Sequence, residues 1–186
     1  MSRRRFLKTA GMFITLYLLP LNACRRLIHS DENAPGSYAL SKKERQIMDG
    51  VMLHLFPAEG EGPGASGINA PKHFEYILRD KHLSQSIRKL LISGIKWTEE
   101  TANELFDTTF TGLDAKQREE VLRDLETYNN GEKWLSKVLN YIFEALLGAP
   151  AYNINTDQSG WNWLDHTPGF PQPTPENIYG TYGYGL

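Results

Sequence analysis

The five histidines are the first side chains in this sequence that could bind a metal or move a proton. They are dispersed along the chain, as His29, His54, His73, His82 and His166. A helical metal pair needs two histidines four residues apart, and zinc sites need comparably short spacings. Neither spacing occurs, so the sequence predicts no metal site. His54 falls between core positions of the first predicted helix and is expected on the surface of that helix.

Other catalytic and cofactor motifs are also missing from the sequence. It has no Cys-x-x-Cys-His, no cysteine set for an iron–sulfur cluster and no Gly-x-Ser-x-Gly. Asp157 and Asp165 flank the tail tryptophans without a partner base. The glycine-rich stretch 58–69 fits neither a P-loop nor a dinucleotide fingerprint, and Glu59 and Glu61 would repel an anion there. We therefore predict no catalytic, metal or cofactor-binding residues in this chain. An active site assembled only in the folded chain is the alternative.

The N-terminus has the pattern of an export signal. The stretch SRRRFLK matches the twin-arginine pattern at each position, through Ser2, Arg3, Arg4, Phe6, Leu7 and Lys8. Residues 10–23 contain no charge and have the length of a signal-peptide core, and Pro20 would interrupt a longer membrane helix. The twin-arginine translocase is thus an expected partner. Because that route carries folded proteins, often loaded with a cofactor, this chain should either bind a cofactor or travel with a partner that does.

Cys24 is the only cysteine, and it follows Leu21, Asn22 and Ala23 as in the lipidation site of a lipoprotein. A lone cysteine cannot form an internal disulfide. We expect a signal over residues 1–23, a lipid on Cys24 and a mature chain on the periplasmic side of the inner membrane. Cleavage elsewhere that discards Cys24 and an uncleaved N-terminal anchor are the alternatives.

The charge of the remaining chain excludes one class of partner. Residues 1–23 carry four basic residues and no acid, so their removal changes the formal net charge from −2 to −6. A mildly acidic body argues against nucleic acid as a partner. The remaining length suffices for one domain with a sizeable core.

The hydrophobic periodicity predicts helices alone, with no alternating strand. Residues 24–40 are polar with Pro and Gly and predict a tether. A capping box of Ser41 and Glu44 opens the first helix, which Pro57 ends. Further helices are predicted after caps at Asn69, Ser84 and Asp114 and from about Gly131 to Leu147, with Gly148 as C-cap. The expected fold is all-α, a compact array of about five helices over residues 41–150.

Residues 151–186 differ in composition from the predicted helices. This segment is rich in Trp, Tyr, Phe, Pro and Gly and has little helical pattern. Aromatic side chains in an extended segment must pack on something, so we expect it to lie on the domain or on a second protein.

Two stretches resemble a known family. LFPAEGEGPGASGIN, residues 55–69, and YNINTDQSGWNWLDHTPGFPQP, residues 152–173, are similar to the gluconate 2-dehydrogenase subunit 3 family. The most specific marks are Leu55-Phe56-Pro57, Pro63-Gly64-Ala65 and Gly160-Trp161 with 168–171. One departure matters: the family usually has Tyr-Gly-Gly-Asn where this chain has Tyr152-Asn153-Ile154-Asn155. Ile154 is poorly suited to a positive-φ turn, which puts the shape of that loop in question.

The resemblance implies an accessory role without catalysis. Members are small subunits of membrane-associated dehydrogenases whose large subunit is a glucose–methanol–choline (GMC)-type oxidoreductase that holds FAD and oxidises a sugar, sugar acid or other alcohol. Electrons then pass to a membrane cytochrome c subunit or another acceptor. The small subunit would carry the twin-arginine signal, help the large subunit mature and escort it across the membrane. The partner interface is expected at Pro63, Gly64, Ala65, Ile68, Tyr152, Trp161, Trp163, Pro168 and Phe170.

A function of another class is compatible with the same residues. A stand-alone exported lipoprotein could bind a ligand or a glycan through Trp161 and Trp163. Co-purification with a flavin-containing partner separates the two hypotheses.

Overall fold

The computed structural model of the chain describes residues 38–178. Within that range it is helical and has no strand, which confirms the all-α prediction. The predicted helices correspond to five long helices, and two short helices lie in the segments predicted as loop and tail. The seven are α1 (Lys42–Leu55), α2 (Gly64–Gly67), α3 (Ala70–Arg79), α4 (Gln85–Phe106), α5 (Ala115–Glu126), α6 (Asn129–Leu147) and α7 (Ser159–Trp163).

Local capping rules determine where α1 and α5 begin. The Ser41 hydroxyl accepts from the Glu44 backbone N–H, and the Glu44 carboxylate accepts in return from the Ser41 backbone N–H. Asp114 and Gln117 make the same reciprocal pair before α5. Each box satisfies two backbone donors that the first helical turn leaves unpaired. The predicted helix starts after Ser41 and Asp114 are therefore confirmed.

The core forms where α4 and α6 cross. Gly94 of α4 lies directly under the indole of Trp134, which is fully buried. A Cβ at position 94 would come within 2.2 Å of that ring, so the crossing needs glycine there. The indole Nε1–H donates to the Leu91 carbonyl at 3.2 Å, which satisfies the one polar group of the ring.

Helix α1 packs against α4, α5 and α6 and closes the core. It contributes the buried side chains of Ile47, Met48, Val51 and Met52, which have the spacing of one helical face. Leu40, at the end of the predicted tether, is also buried against the domain.

Three local details differ from the sequence predictions. Helix α6 begins at Asn129, two residues before Gly131. Gly148 is its C-cap, but with φ of −71° it does not need the left-handed region that makes glycine favourable at helix ends. Asn69 precedes α3 as predicted, with φ of 62°, yet its side chain does not cap that helix. That side chain instead bonds a distant part of the chain, described below.

Candidate functional site

The two segments that resemble the family contact each other. The Asn155 backbone N–H donates to the Ile68 carbonyl at 3.0 Å. The Asn69 side-chain Nδ2 donates to the Asn153 carbonyl at 2.6 Å, across 84 positions of sequence. We call residues 62–69 and 152–163 together the loop–tail junction. Sequence reasoning selected both segments but did not predict that they bind one another.

Asn155 is the centre of the loop–tail junction. It is fully buried, and its side-chain Nδ2 donates to the Gly148 carbonyl at 3.1 Å, while Oδ1 accepts from the Gly160 N–H at 2.7 Å. With its backbone bond to Ile68, this one residue joins the end of α6, the loop before α3 and the start of α7. Buried polar groups are stable only when paired, so each of these bonds satisfies a group that would otherwise be costly to bury.

Polar residues adopt the left-handed backbone of the tail. Positive φ occurs at Asn153, Asn155, Asp157 and Gln158. Asn and Asp enter this region at lower cost than other side chains. Ile154 does not; its side chain is buried in the core and its Cδ1 lies against Gly148. The departure from the family pattern therefore leaves Ile154 as a core residue, with the turn made by its two asparagine neighbours.

Trp161 fixes the tail to the last turn of α6. It is only 4% exposed, and its Nε1–H donates to the Leu147 carbonyl at 2.8 Å. The neighbouring Gly160 permits this approach, because a Cβ there would lie 2.2 Å from the Leu146 carbonyl oxygen. A ring buried in this way cannot stack on a sugar, so Trp161 is not available as a glycan platform.

Trp163 covers the glycine-rich loop from outside. Its ring meets Phe56 edge-on at 6.0 Å between centroids, and Gly62 packs beneath it. Gly64, with φ of 61°, brings the loop within contact of the Ala58 backbone, where a Cβ would approach Ala58 N at 2.7 Å. Phe56 and Gly64 belong to the two most specific motifs of the first segment. Their contacts thus place the glycine-rich loop under the Trp163 ring of the second segment.

The predicted interface residues divide into two groups. Gly64, Ala65, Ile68 and Trp161 are buried within this chain, so their unusual types serve its own packing. The other members lie at or near the surface and include Phe170, which is 86% exposed; they are Pro63, Tyr152, Trp163, Pro168 and Phe170. Contact with a partner stays a prediction, and it now concerns the surface group.

An apolar groove of about 650 Å³ adjoins the loop–tail junction and adds residues that sequence reasoning missed. Phe143 and Leu147 of α6 line it, half exposed, together with Tyr152. Phe143 follows Ile142, which belongs to the buried stripe of α6. It lies one position round the helix from that stripe and one turn before Leu147, and this i, i+4 pair of large apolar residues is the signal that would have found the groove.

Two histidines pair with distant carboxylates. His54 Nε2 lies 2.7 Å from Glu119 Oε2, and His73 Nε2 lies 3.2 Å from Glu144 Oε2. His54 is partly buried between α1 and α5, not on an open helix surface as expected. A carboxylate orients an imidazole for proton transfer, but neither of these rings is hydrogen-bonded to a hydroxyl within residues 38–178. The same residues contain no group of three or more metal-binding side chains.

The residues predicted to form the export signal, Ser2 to Lys8, and the predicted lipidation site Cys24 lie outside the described residues. Among the described helices, none combines the length and the apolar character that a membrane crossing needs.

Comparison with known proteins gives one family. The family described as Gluconate 2-dehydrogenase subunit 3 matches residues 42–169, from the first turn of α1 to the end of the tail that packs on the domain. The match therefore spans the helical core, the loop–tail junction and the apolar groove. No curated protein and no solved structure matches the chain.

Proposed function

The chain belongs to the gluconate 2-dehydrogenase subunit 3 family, and on that premise we propose that it is the escort and stabilising subunit of an exported FAD-dependent dehydrogenase. The large partner would be a GMC-type flavoprotein acting on a sugar, a sugar acid or another alcohol. This chain would bind it in folded form, carry it through the twin-arginine route and stay with it on the periplasmic side of the inner membrane. Cys24, if lipidated, would hold the pair at that surface.

One observation carries the proposal: a stretch that matches the twin-arginine pattern precedes a domain whose family is named as a subunit of a dehydrogenase. A folded passenger explains the choice of route, and FAD bound by the partner explains why the passenger must fold first. In this arrangement the small subunit contributes binding surface and the large subunit contributes the flavin chemistry.

The surface group of interface residues would contact the partner. Tyr152, with Phe143 and Leu147, forms an apolar edge along the groove, and Phe170 extends from a segment stiffened by Pro168 and Pro171. Exposed aromatic and aliphatic side chains of this size are typical anchors of a protein interface. The buried group would act indirectly, by holding the loop and the tail in the shape that presents these anchors.

Replacement of Arg3 and Arg4 by lysine tests the escort role. We expect dehydrogenase activity outside the cytoplasm to fall at least tenfold, while folded flavoprotein accumulates inside the cell. Arg5→Lys is the matched control, because it makes the same chemical change at the position that the twin-arginine pattern leaves unspecified. Normal external activity in the double variant would contradict the proposal, as would equal losses in the double variant and the control.

A further inference from the structure

The apolar groove beside the end of α6 leaves large side chains half exposed. Phe143 and Leu147 are 48% and 51% exposed, and Tyr152 borders the same space. Because Phe143 and Leu147 lie one helical turn apart, their exposed parts form one continuous apolar surface. A continuous apolar surface on a folded domain is typical of a site that contacts another segment or another protein.

The tail leaves the helical domain at the same end of α6. The Trp161 indole donates to the carbonyl of Leu147, whose side chain lines the groove, and the His166 backbone N–H donates to the Trp161 carbonyl at 2.8 Å. The described chain then continues through residues 167–178. A stretch of that length spans up to about 40 Å, whereas α6 is about 28 Å long. Residues 179–186, which come next, can therefore reach every part of the groove.

Residues 179–186 have a composition that suits an apolar groove. Their sequence is YGTYGYGL, with three tyrosines, three glycines and no charged side chain. Alternate residues of an extended chain point to the same side, so Tyr182, Tyr184 and Leu186 would form one apolar face. Tyrosine buries a large ring and keeps a hydroxyl for a polar partner, and the Glu144 carboxylate beside the groove is such a partner.

Covalent attachment favours this segment over a separate ligand. A tethered segment has an effective concentration on the order of millimolar at a site within its reach, so even a weak affinity would fill the groove for much of the time. The predicted tether, residues 24–37 before the described range, contains no Trp, Tyr or Phe and joins the domain at the start of α1. Of these two segments, only 179–186 offers an apolar aromatic face.

We propose that residues 179–186 bind in the apolar groove of their own chain. The apolar face of this segment covers the exposed sides of Phe143 and Leu147 and packs beside Tyr152. In the uncomplexed subunit the contact shields the edge that the proposed function assigns to the partner, and a partner at that edge would displace the segment. The contact itself lies within one chain and does not depend on the escort role.

A photo-crosslinker at two positions tests the contact in the full chain. Benzoylphenylalanine replaces Tyr184 in one protein and Tyr179 in the other, and only position 184 belongs to the apolar face. We expect at least fivefold more crosslinking from position 184 than from position 179 to the peptide that contains Phe143 and Leu147, with a yield that is unchanged on dilution. Equal yields from the two positions, crosslinks mainly to other peptides, or crosslinks mainly between two copies of the chain would overturn the proposal.

Two equally exposed apolar residues provide matched variants of the groove. Phe143→Ser removes a ring from the groove, whereas Leu105→Ser makes a comparable change on α4, at a side chain that is also 48% exposed and does not line the groove. Because both side chains are half exposed, neither change should unfold the domain, which circular dichroism checks. Crosslinking from position 184 should fall at least fivefold in Phe143→Ser and stay within a factor of two in Leu105→Ser. Equal yields in these two variants would refute the groove as the binding site of the segment.

Discussion

The crossing of α4 and α6 and the loop–tail junction are both densely packed, but different interactions hold them. At the crossing a tryptophan ring lies on a glycine, and the neighbouring contacts are apolar. At the junction the backbone leaves regular structure, and the hydrogen bonds of Asn155, Asn69 and Trp161 connect segments from three parts of the chain. A substitution that changes side-chain volume should therefore destabilise the crossing most. A substitution that removes a hydrogen-bonding group should destabilise the junction most.

The difference suggests a division of work between the two regions. Apolar packing at the crossing supplies most of the stability, because burial of large side chains is the main favourable term in folding. The junction has few large buried side chains, and its polar bonds specify one geometry for the loop and the tail. We therefore expect damage at the crossing to unfold the domain and damage at the junction to release the tail while the helices remain.

The largest expected effect is that of Gly94→Ala at the crossing. Its Cβ would enter the space of the Trp134 ring at 2.2 Å, so either the indole or the helix must move. Helix propensity alone would favour alanine by about 1 kcal/mol. Overpacking of this severity outweighs that gain, and we expect a net loss of about 3 kcal/mol in the free energy of unfolding, measured by urea denaturation.

Gly50→Ala is the matched control for that change. Gly50 also lies inside a long helix, but a Cβ there would approach nothing more closely than the edge of the Phe110 ring, at 3.3 Å. Its stability should change by less than about 1 kcal/mol, since propensity and crowding nearly cancel. Similar stability for the two variants would mean that the α4–α6 crossing is looser than the structure shows.

Asn155→Gly should have the next largest effect, and a more local one. Glycine keeps the left-handed backbone of this position, with φ of 47°, so the change removes only the side-chain bonds to Gly148 and Gly160. The buried Gly160 N–H and the partly buried Gly148 carbonyl lose their partner, for a loss of about 2 kcal/mol. Hydrogen exchange should show the loss mainly as faster exchange at the Trp161 indole and the Gly160 amide, with α4 and α6 still protected.

Asn162→Ala provides the comparison for an exposed amide. The Asn162 side chain donates to the Asp157 carbonyl at 3.3 Å on the surface, where water can replace the bond. We expect a change below about 0.5 kcal/mol. If Asn155→Gly were as mild as this control, or if it exposed the helices along with the tail, Asn155 would not be the local connection described here.

The sequence predicted the helical part well because its signals are local. Ser41 and Glu44, like Asp114 and Gln117, lie only three positions apart, and each pair is enough to specify a helix start. The same capping rule predicted that the Asn69 side chain would cap α3. It does not, because that side chain donates to the Asn153 carbonyl instead. Nothing within the neighbourhood of either residue indicates that pairing. The junction depends on long-range contacts of this kind, so the sequence could select its segments and could not assemble them.

The smallest effect concerns pH, and it contrasts a titratable contact between α1 and α5 with the uncharged hydrogen bonds of the junction. Glu119 of α5 accepts hydrogen bonds from His54 of α1 and from Arg123, and these bonds hold the pKa of Glu119 below its usual range. A carboxyl with a lowered folded-state pKa stabilises the fold above its unfolded-state pKa, and that contribution disappears as the pH falls through the folded-state value. Because the Glu119 side chain is half exposed, we expect less than about 0.5 kcal/mol.

Urea denaturation of the wild type and of Glu119→Gln, each at neutral pH and at about pH 3, measures the stabilisation that Glu119 contributes. The difference between the two proteins isolates it, because their other carboxyls titrate equally. The variant should be slightly less stable at neutral pH and equally stable in acid.

The hydrogen bonds of Asn155, Asn69 and Trp161 involve amides, an indole and backbone groups, none of which titrates in this range. Exchange at the Trp161 indole, corrected for its intrinsic rate, should therefore keep the same protection until the helices unfold. Loss of that protection while α4 and α6 stay protected would show that a carboxyl helps to hold the tail, and the contrast between the two regions would fail.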